Sequence, residues 1–121
     1  MQLIILTKQL LHECDASLDR FYKQRELDAS PDFYNEVKPH ADEVQTLLMD
    51  WKEQSLWWMN EMKPKYIHPV QIDNVVDAMN QFVVQSFYKE TSKKRFTQSI
   101  QSVHYTLSFF LRHLEEGDEH V

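Results

Sequence analysis

The chain has 121 residues, 42% of them hydrophobic, and a net charge of −6 from 19 acidic and 13 basic side chains. Those values fit one domain with one core and exclude a disordered chain. The acidic balance speaks against general attraction to nucleic acid or anionic membrane, and no run approaches 18 apolar residues, so no bilayer-spanning helix is expected. Gly117 is the single glycine. Hairpin turns need glycine and long helices avoid it, so the composition points to an all-α fold.

Four apolar stripes repeat by threes and fours, as one helix face requires. The first runs Leu3, Leu6, Leu10, Cys14, Leu18, Phe21. Its start, "MQLIILTKQLLHECD", has no basic leader and no small-residue cleavage site, and reads as helix rather than as a signal peptide. The lone Cys14 cannot form an internal disulfide, which suits a reducing cytosol, and a cytoplasmic location is expected. The stripe fades into "KQRELDASPD", where Ser30 is the predicted cap of a new helix, with Pro31 at its first position.

The second stripe is the longest: Phe33, Val37, Ala41, Val44, Leu48, Trp51, Ser55, Trp58, Met62. Pro39 lies inside it, removes one backbone bond and presses on the carbonyl of Asn35. Since the stripe keeps its phase, the pattern predicts a kink at Pro39 rather than a break. In "DWKEQSLWWMNEM", Trp51 and Trp58 lie two turns apart on the stripe, while Trp57 points about 100° away, beside Leu56 and Met59. A broad buried face is the plainer reading. An exposed patch there would make Trp57 a contact for a protein partner or for a homodimer. Residues 31–63 hold three basic and seven acidic residues, a net of −4, which reads as a solvated helix face or, alternatively, as a match for a basic partner. "KPKYIHP" then ends the helix, with Tyr66 and His68 expected to tie down the loop.

The third stripe is Ile72, Val76, Met79, Val83, Ser86, widened by Val75, Phe82 and Phe87. The fourth is Phe96, Ile100, Val103, Leu107, Phe110, Leu114, widened by Leu111. Periodicity alone allows one helix across both. Residues 89–95, "KETSKKR", offer no apolar side chain, however, and a helix from 70 to 115 would be about 69 Å long, too long for a domain of this size. A turn near Glu90–Ser92 is therefore predicted, with Thr91 or Ser92 capping the last helix. The sum is a four-helix up-and-down bundle over residues 1–116, with a polar tail at 117–121.

Three cations, Lys93, Lys94 and Arg95, then occupy the first turn of the last helix, the wrong end for positive charge. The expected remedy is internal: pairing with Glu90, Glu26 or Asp28. The alternative is external: free amides and three cations able to hold a phosphate or a partner's carboxylates.

Other chemistry finds little footing. No glutamate has a histidine three positions later, and no His-Glu-x-x-His or His-x-x-x-His pair exists. Glu36 and His40 are four apart, but Pro39 perturbs the backbone between them, and His12 and His104 would meet only by favourable rotation. No metal and no cofactor are expected. Cys14 on an apolar stripe reads as a core filler. One glycine permits no phosphate-binding loop and no Gly-x-Ser-x-Gly elbow, so no catalytic residues are assigned.

The words "EVKPHADEV", "KPKYIHPVQI", "VVQSFYKETSKKRF" and "SVHYTL" come in order along the chain and resemble the YppE-like family of small proteins from Bacillus-type bacteria. The likeness covers most of residues 32–114 and is strongest from 64 to 107. Pro39, Tyr66, His68, Gln71, Ser86, Lys93, Lys94, Arg95, Phe96, Ser102 and Tyr105 are the positions that match. The resemblance implies a four-helix up-and-down bundle and supplies no function, since the family has none assigned. In such a bundle the loops carrying Tyr66/His68 and Lys93–Arg95 lie at opposite ends, so two separate corners are expected. The reading is a non-catalytic interaction protein using Trp57 or the basic corner. The alternative is an anion- or small-ligand-binding bundle, or an unrecognised enzyme, using Lys93, Lys94 and Arg95.

Overall fold

The computed structural model describes residues 1–119. Four helices follow one another: α1 (Gln2–Leu27), α2 (Lys38–Met62), α3 (Pro69–Gln85) and α4 (Lys93–Glu119); no strand occurs among the described residues. α1 packs on α2 and α4, and α3 packs on α2 and α4, so the helices form a ring in chain order around one core. Short connections reverse the chain three times. The start of α1, the 63–68 loop and the end of α4 therefore share one end of the bundle. The 28–32 and 86–92 connections share the other.

The four stripes become the core. Leu10, Cys14, Phe21, Leu48, Trp51, Met79, Phe82, Phe96, Leu107 and Leu114 are wholly buried. Phe21 stacks on Phe96 with ring centres 4.3 Å apart, and Trp51 and Trp58 both set their edges against Phe110. The Trp51 indole Nε1–H donates to Thr7 Oγ1 at 3.0 Å, and that hydroxyl donates to the Leu3 carbonyl at 2.7 Å. Burial pushes the Cys14 thiol up to about 12, with the carboxylates of Asp15 and Glu13 adding to the shift. The thiolate needed for reaction is therefore scarce at neutral pH.

Both ends of the second stripe depart from expectation, because Phe33 and Met62 are exposed. The helix start is displaced too. Asp32, not Ser30, is the cap, its Oδ1 accepting the Asn35 N–H at 3.2 Å. The Asn35 side-chain amide also holds the Asp32 carboxyl below its ordinary value.

Where a kink at Pro39 was predicted within one helix, the helix type changes instead. Phe33–Val37 is a π-turn: the N–H groups of Val37 and Lys38 reach back five residues, to Asp32 and Phe33. Pro39 then falls at the start of α2. A proline ring strikes the carbonyl four residues back in α geometry, and the wider π-turn gives it room.

α1 and α2 end on residues with left-handed backbone, Asp28 (φ 51°) and Lys63 (φ 47°), whose N–H groups return to Gln24 and Met59. The 63–68 loop is held by buried Ile67 rather than by Tyr66, which is exposed. The backbone N–H of His68 donates to Gln71 Oε1 at 2.6 Å, closing half of a capping box for α3. The chain turns over 86–92, starting four residues before the turn expected near Glu90–Ser92, and α4 begins directly after Ser92. The polar tail expected over 117–121 is helical as far as Glu119; His120 and Val121 lie outside the described residues.

Candidate functional site

At the basic corner, Lys93, Lys94 and Arg95 are exposed, and among the described residues none of them makes an ion pair. The pairing expected with Asp28 is taken by Lys89. Its Nζ lies 2.6 Å from Asp28 Oδ1 and holds that carboxyl below its usual range. Arg25 donates to the Thr91 carbonyl at 3.0 Å, and Lys93 Nζ stands 5.6 Å over the Tyr22 ring. The turn is thus fastened to α1 through Lys89, four residues before the first of the cations the sequence suggested, and through Arg25 of α1 itself. Tyr66 and His68 lie at the opposite end, so the two corners are separate.

Trp57 is 65% exposed, with Leu56 and Met62 also exposed and Met59 buried. The buried arc of α2 takes Ser55, Trp58 and Met59 and leaves the next residues of the turn outside. Tyr66 and Val70 add exposed apolar surface at the same end.

A third cluster has no counterpart in the sequence reading. Glu13 is buried on α1 with its side chain 9% exposed, beside Ser17 and Arg20. Ser17 Oγ donates to Glu13 Oε2 at 3.0 Å. His40, in the first turn of α2, sets Nε2 3.0 Å from both Glu13 oxygens. A carboxylate only accepts, so Nε2 carries the proton and donates. The contact of His40 Nε2 with Arg20 Nη2 at 3.3 Å is then donor against donor, not a hydrogen bond. Arg20 Nη1 lies 3.4 Å from Glu13 Oε2 and donates to Ser86 Oγ at 2.8 Å; the Ser86 hydroxyl in turn donates to the Val83 carbonyl at 2.6 Å. The guanidinium sits 4.6 Å over the Phe87 ring. One charge network therefore joins α1, α2 and the end of α3.

Glu36, four residues before His40, takes no part: its carboxylate accepts the Asp32 N–H at 3.2 Å. The π-turn separates the two faces. His12 and His104 do not meet; His104 Nε2 stands 4.0 Å from Asp15 Oδ1. Among the described residues no three His, Cys, Asp or Glu side chains are placed to hold a metal ion.

Glu13 and His40 also line an open groove of about 420 Å³ between α1 and α2. Gln9, Glu43, Val44, Thr46, Leu47 and Asp50 line the rest. No Lys or Arg lines it.

A closed apolar core, an internal ion network and an open acidic groove define a four-helix up-and-down bundle protein without a recognisable catalytic centre among its described residues. None of its helices is long and apolar enough to cross a membrane. The chain belongs to the family described as a bacterial domain of unknown function, DUF1798, which matches residues 7–114. It is 33% identical over 105 residues to the uncharacterized protein YppE of Bacillus subtilis (strain 168), covering 87% of this chain and 85% of that one. The crystal structure of YppE matches with a TM-score of 0.92 at 30% identity, over 98% of this chain and 96% of that one. A protein of unknown function from Listeria innocua matches at 0.87 and 31% identity, over 96% and 95%. The resemblance read from the four sequence words is therefore sound, and the relatives carry no assigned activity.

Proposed function

We propose that the chain is a non-catalytic, cytoplasmic protein-interaction module that meets its partner through the end of the bundle around Trp57. The exposed indole carries this reading: a Trp set beside exposed Leu56 and Met62, with Tyr66 on the adjoining loop, is the residue mixture that interfaces concentrate. Since Trp57 covers little of the core, Trp57→Ala should change unfolding free energy by no more than about 0.5 kcal/mol while abolishing partner capture. Chemical denaturation and a pull-down with wild-type and variant bait, run together, check both halves. Loss of the fold in the variant, or undiminished capture, removes the reading. Sedimentation of the pure protein shows whether the partner is a second copy.

A second reading concerns the basic corner. It is favoured by one observation, that Lys89 has taken Asp28 and left Lys93, Lys94 and Arg95 without carboxylate partners among the described residues. If they hold an anion, inorganic phosphate should shift the amide signals of residues 92–96, and K93Q/K94Q/R95Q should erase the shifts. Signals that stay put in the wild-type protein rule the anion site out.

A further inference from the structure

We infer that the groove between α1 and α2, together with the face of α2 that continues it to Trp57, docks a basic amphipathic segment of a partner protein. The inference rests on the Trp57 reading and adds the chemistry of what lies beside that residue. On α1, Ile5, Gln9 and Glu13 are spaced by four and share one side, and Gln9 and Glu13 line the groove. On α2, Glu43, Asp50 and Trp57 are spaced by seven. A heptad drifts only about 20°, so they run in one line, each step rising about 10.5 Å. The two lines run along the same side of an antiparallel pair pinned at His40–Glu13 and at Trp51–Thr7, and meet at the groove through Gln9, Glu13, Glu43 and Asp50. Past the acidic stretch the same faces carry exposed Ile5 and Trp57.

The charges on this face are of one sign. Glu43 and Asp50 line the groove, and Glu53 and Glu61 flank Trp57, all on the outer side of α2. The cations of α2 point elsewhere: Lys52 reaches Asp73 of α3 at 2.9 Å, and Lys38 pairs with Asp42 at 2.7 Å. Arg20 is committed to Glu13 and Ser86 behind the groove wall. Carboxylates strung along a helix with no compensating base repel one another, and a trough with low-dielectric walls concentrates their field. They do not converge on a point, so a single metal ion is a poor match. An extended string of positive charges suits them, and Leu47, Ile5 and Trp57 offer apolar footing beside them. A helix with Lys or Arg along its edges and an apolar ridge meets both demands.

The test uses two fluorescein-labelled synthetic 18-residue peptides. One is a leucine-faced helix edged with lysine; the other carries glutamate in place of every lysine. The lysine peptide should bind the intact protein and the glutamate peptide should not. E43Q/D50N and Trp57→Ala should each weaken binding at least tenfold. E26Q/E90Q, which removes two exposed charges from the opposite end of the bundle, should change it less than twofold. Equal losses in E43Q/D50N and E26Q/E90Q would mean charge without location and would overturn the inference. Loss in Trp57→Ala with none in E43Q/D50N would also overturn it while leaving the Trp57 reading standing. Loss in E43Q/D50N with none in Trp57→Ala would reject the Trp57 reading and, with it, the apolar half of the docking surface. Spermidine that displaces the peptide from the wild-type protein, and binds E43Q/D50N at least tenfold more weakly, would assign the groove to a small polycation instead of a protein segment.

Discussion

Glu13→Ala should lower the unfolding free energy by about 3 kcal/mol, one of the two largest single-residue effects expected in this protein. Removing one member of a buried ion pair strands the other, and here the stranded group is Arg20, whose side chain is only 20% exposed. That residual exposure lets water screen part of the charge, so the expected loss sits at the lower end of the usual range of about 3–5 kcal/mol for broken buried pairs. Ser17 and His40 lose their acceptor as well. Urea denaturation of wild-type and variant protein gives the number. The paired replacement E13L/R20M separates two explanations. If the cost is one of uncompensated charge, the double variant should regain most of the stability, because well-packed apolar groups can replace a buried pair at little net cost. If it remains as unstable as Glu13→Ala, the hydroxyl and imidazole partners carry the effect. A loss below about 1 kcal/mol in the single variant would show the network to be solvated, contrary to its burial.

Trp51→Ala should cost about 4 kcal/mol and lower the melting temperature by about 15 °C. Trp51 is wholly buried, its ring edge meets Phe110, and its N–H is the donor to Thr7. Truncation leaves a ring-sized void in the middle of the bundle and deprives the Thr7 hydroxyl of its donor. Trp51→Phe keeps most of the ring and should cost about 1–2 kcal/mol, so the pair of variants divides packing from hydrogen bonding. Calorimetry checks both. A shift of only a few degrees for Trp51→Ala would mean that the bundle closes without this ring.

The sequence makes the bundle legible because each helix must bury one stripe, and a stripe every three or four residues leaves little choice of element. Even the break between α3 and α4 can be read, from a stretch with nothing apolar to bury. Periodicity says which face turns inward but not how wide the buried arc is. Leu56 and Trp57 fall just outside that arc, so their exposure could not be decided from spacing. Periodicity is also silent on rotation of one helix against another. Glu13, His40 and Ser86 come from α1, α2 and the residue that caps α3, and their meeting depends on that rotation and on a π-turn that no residue pattern announces. One local hint existed: Glu13, Ser17 and Arg20 crowd the border of the first apolar stripe. The basic corner was misjudged for a smaller reason, since Lys89 lies on the loop and reaches Asp28 before the helical cations can.

The alternation of helix directions has a practical consequence. A purification tag fused ahead of Met1 would sit at the pole that holds Met62 and Tyr66, where it would compete with any visitor to Trp57. Tethering from the opposite pole avoids this. A cysteine introduced at Glu90 would give a single reactive handle there, because the native thiol is sealed in the interior. Bait immobilised that way would present the aromatic pole outward.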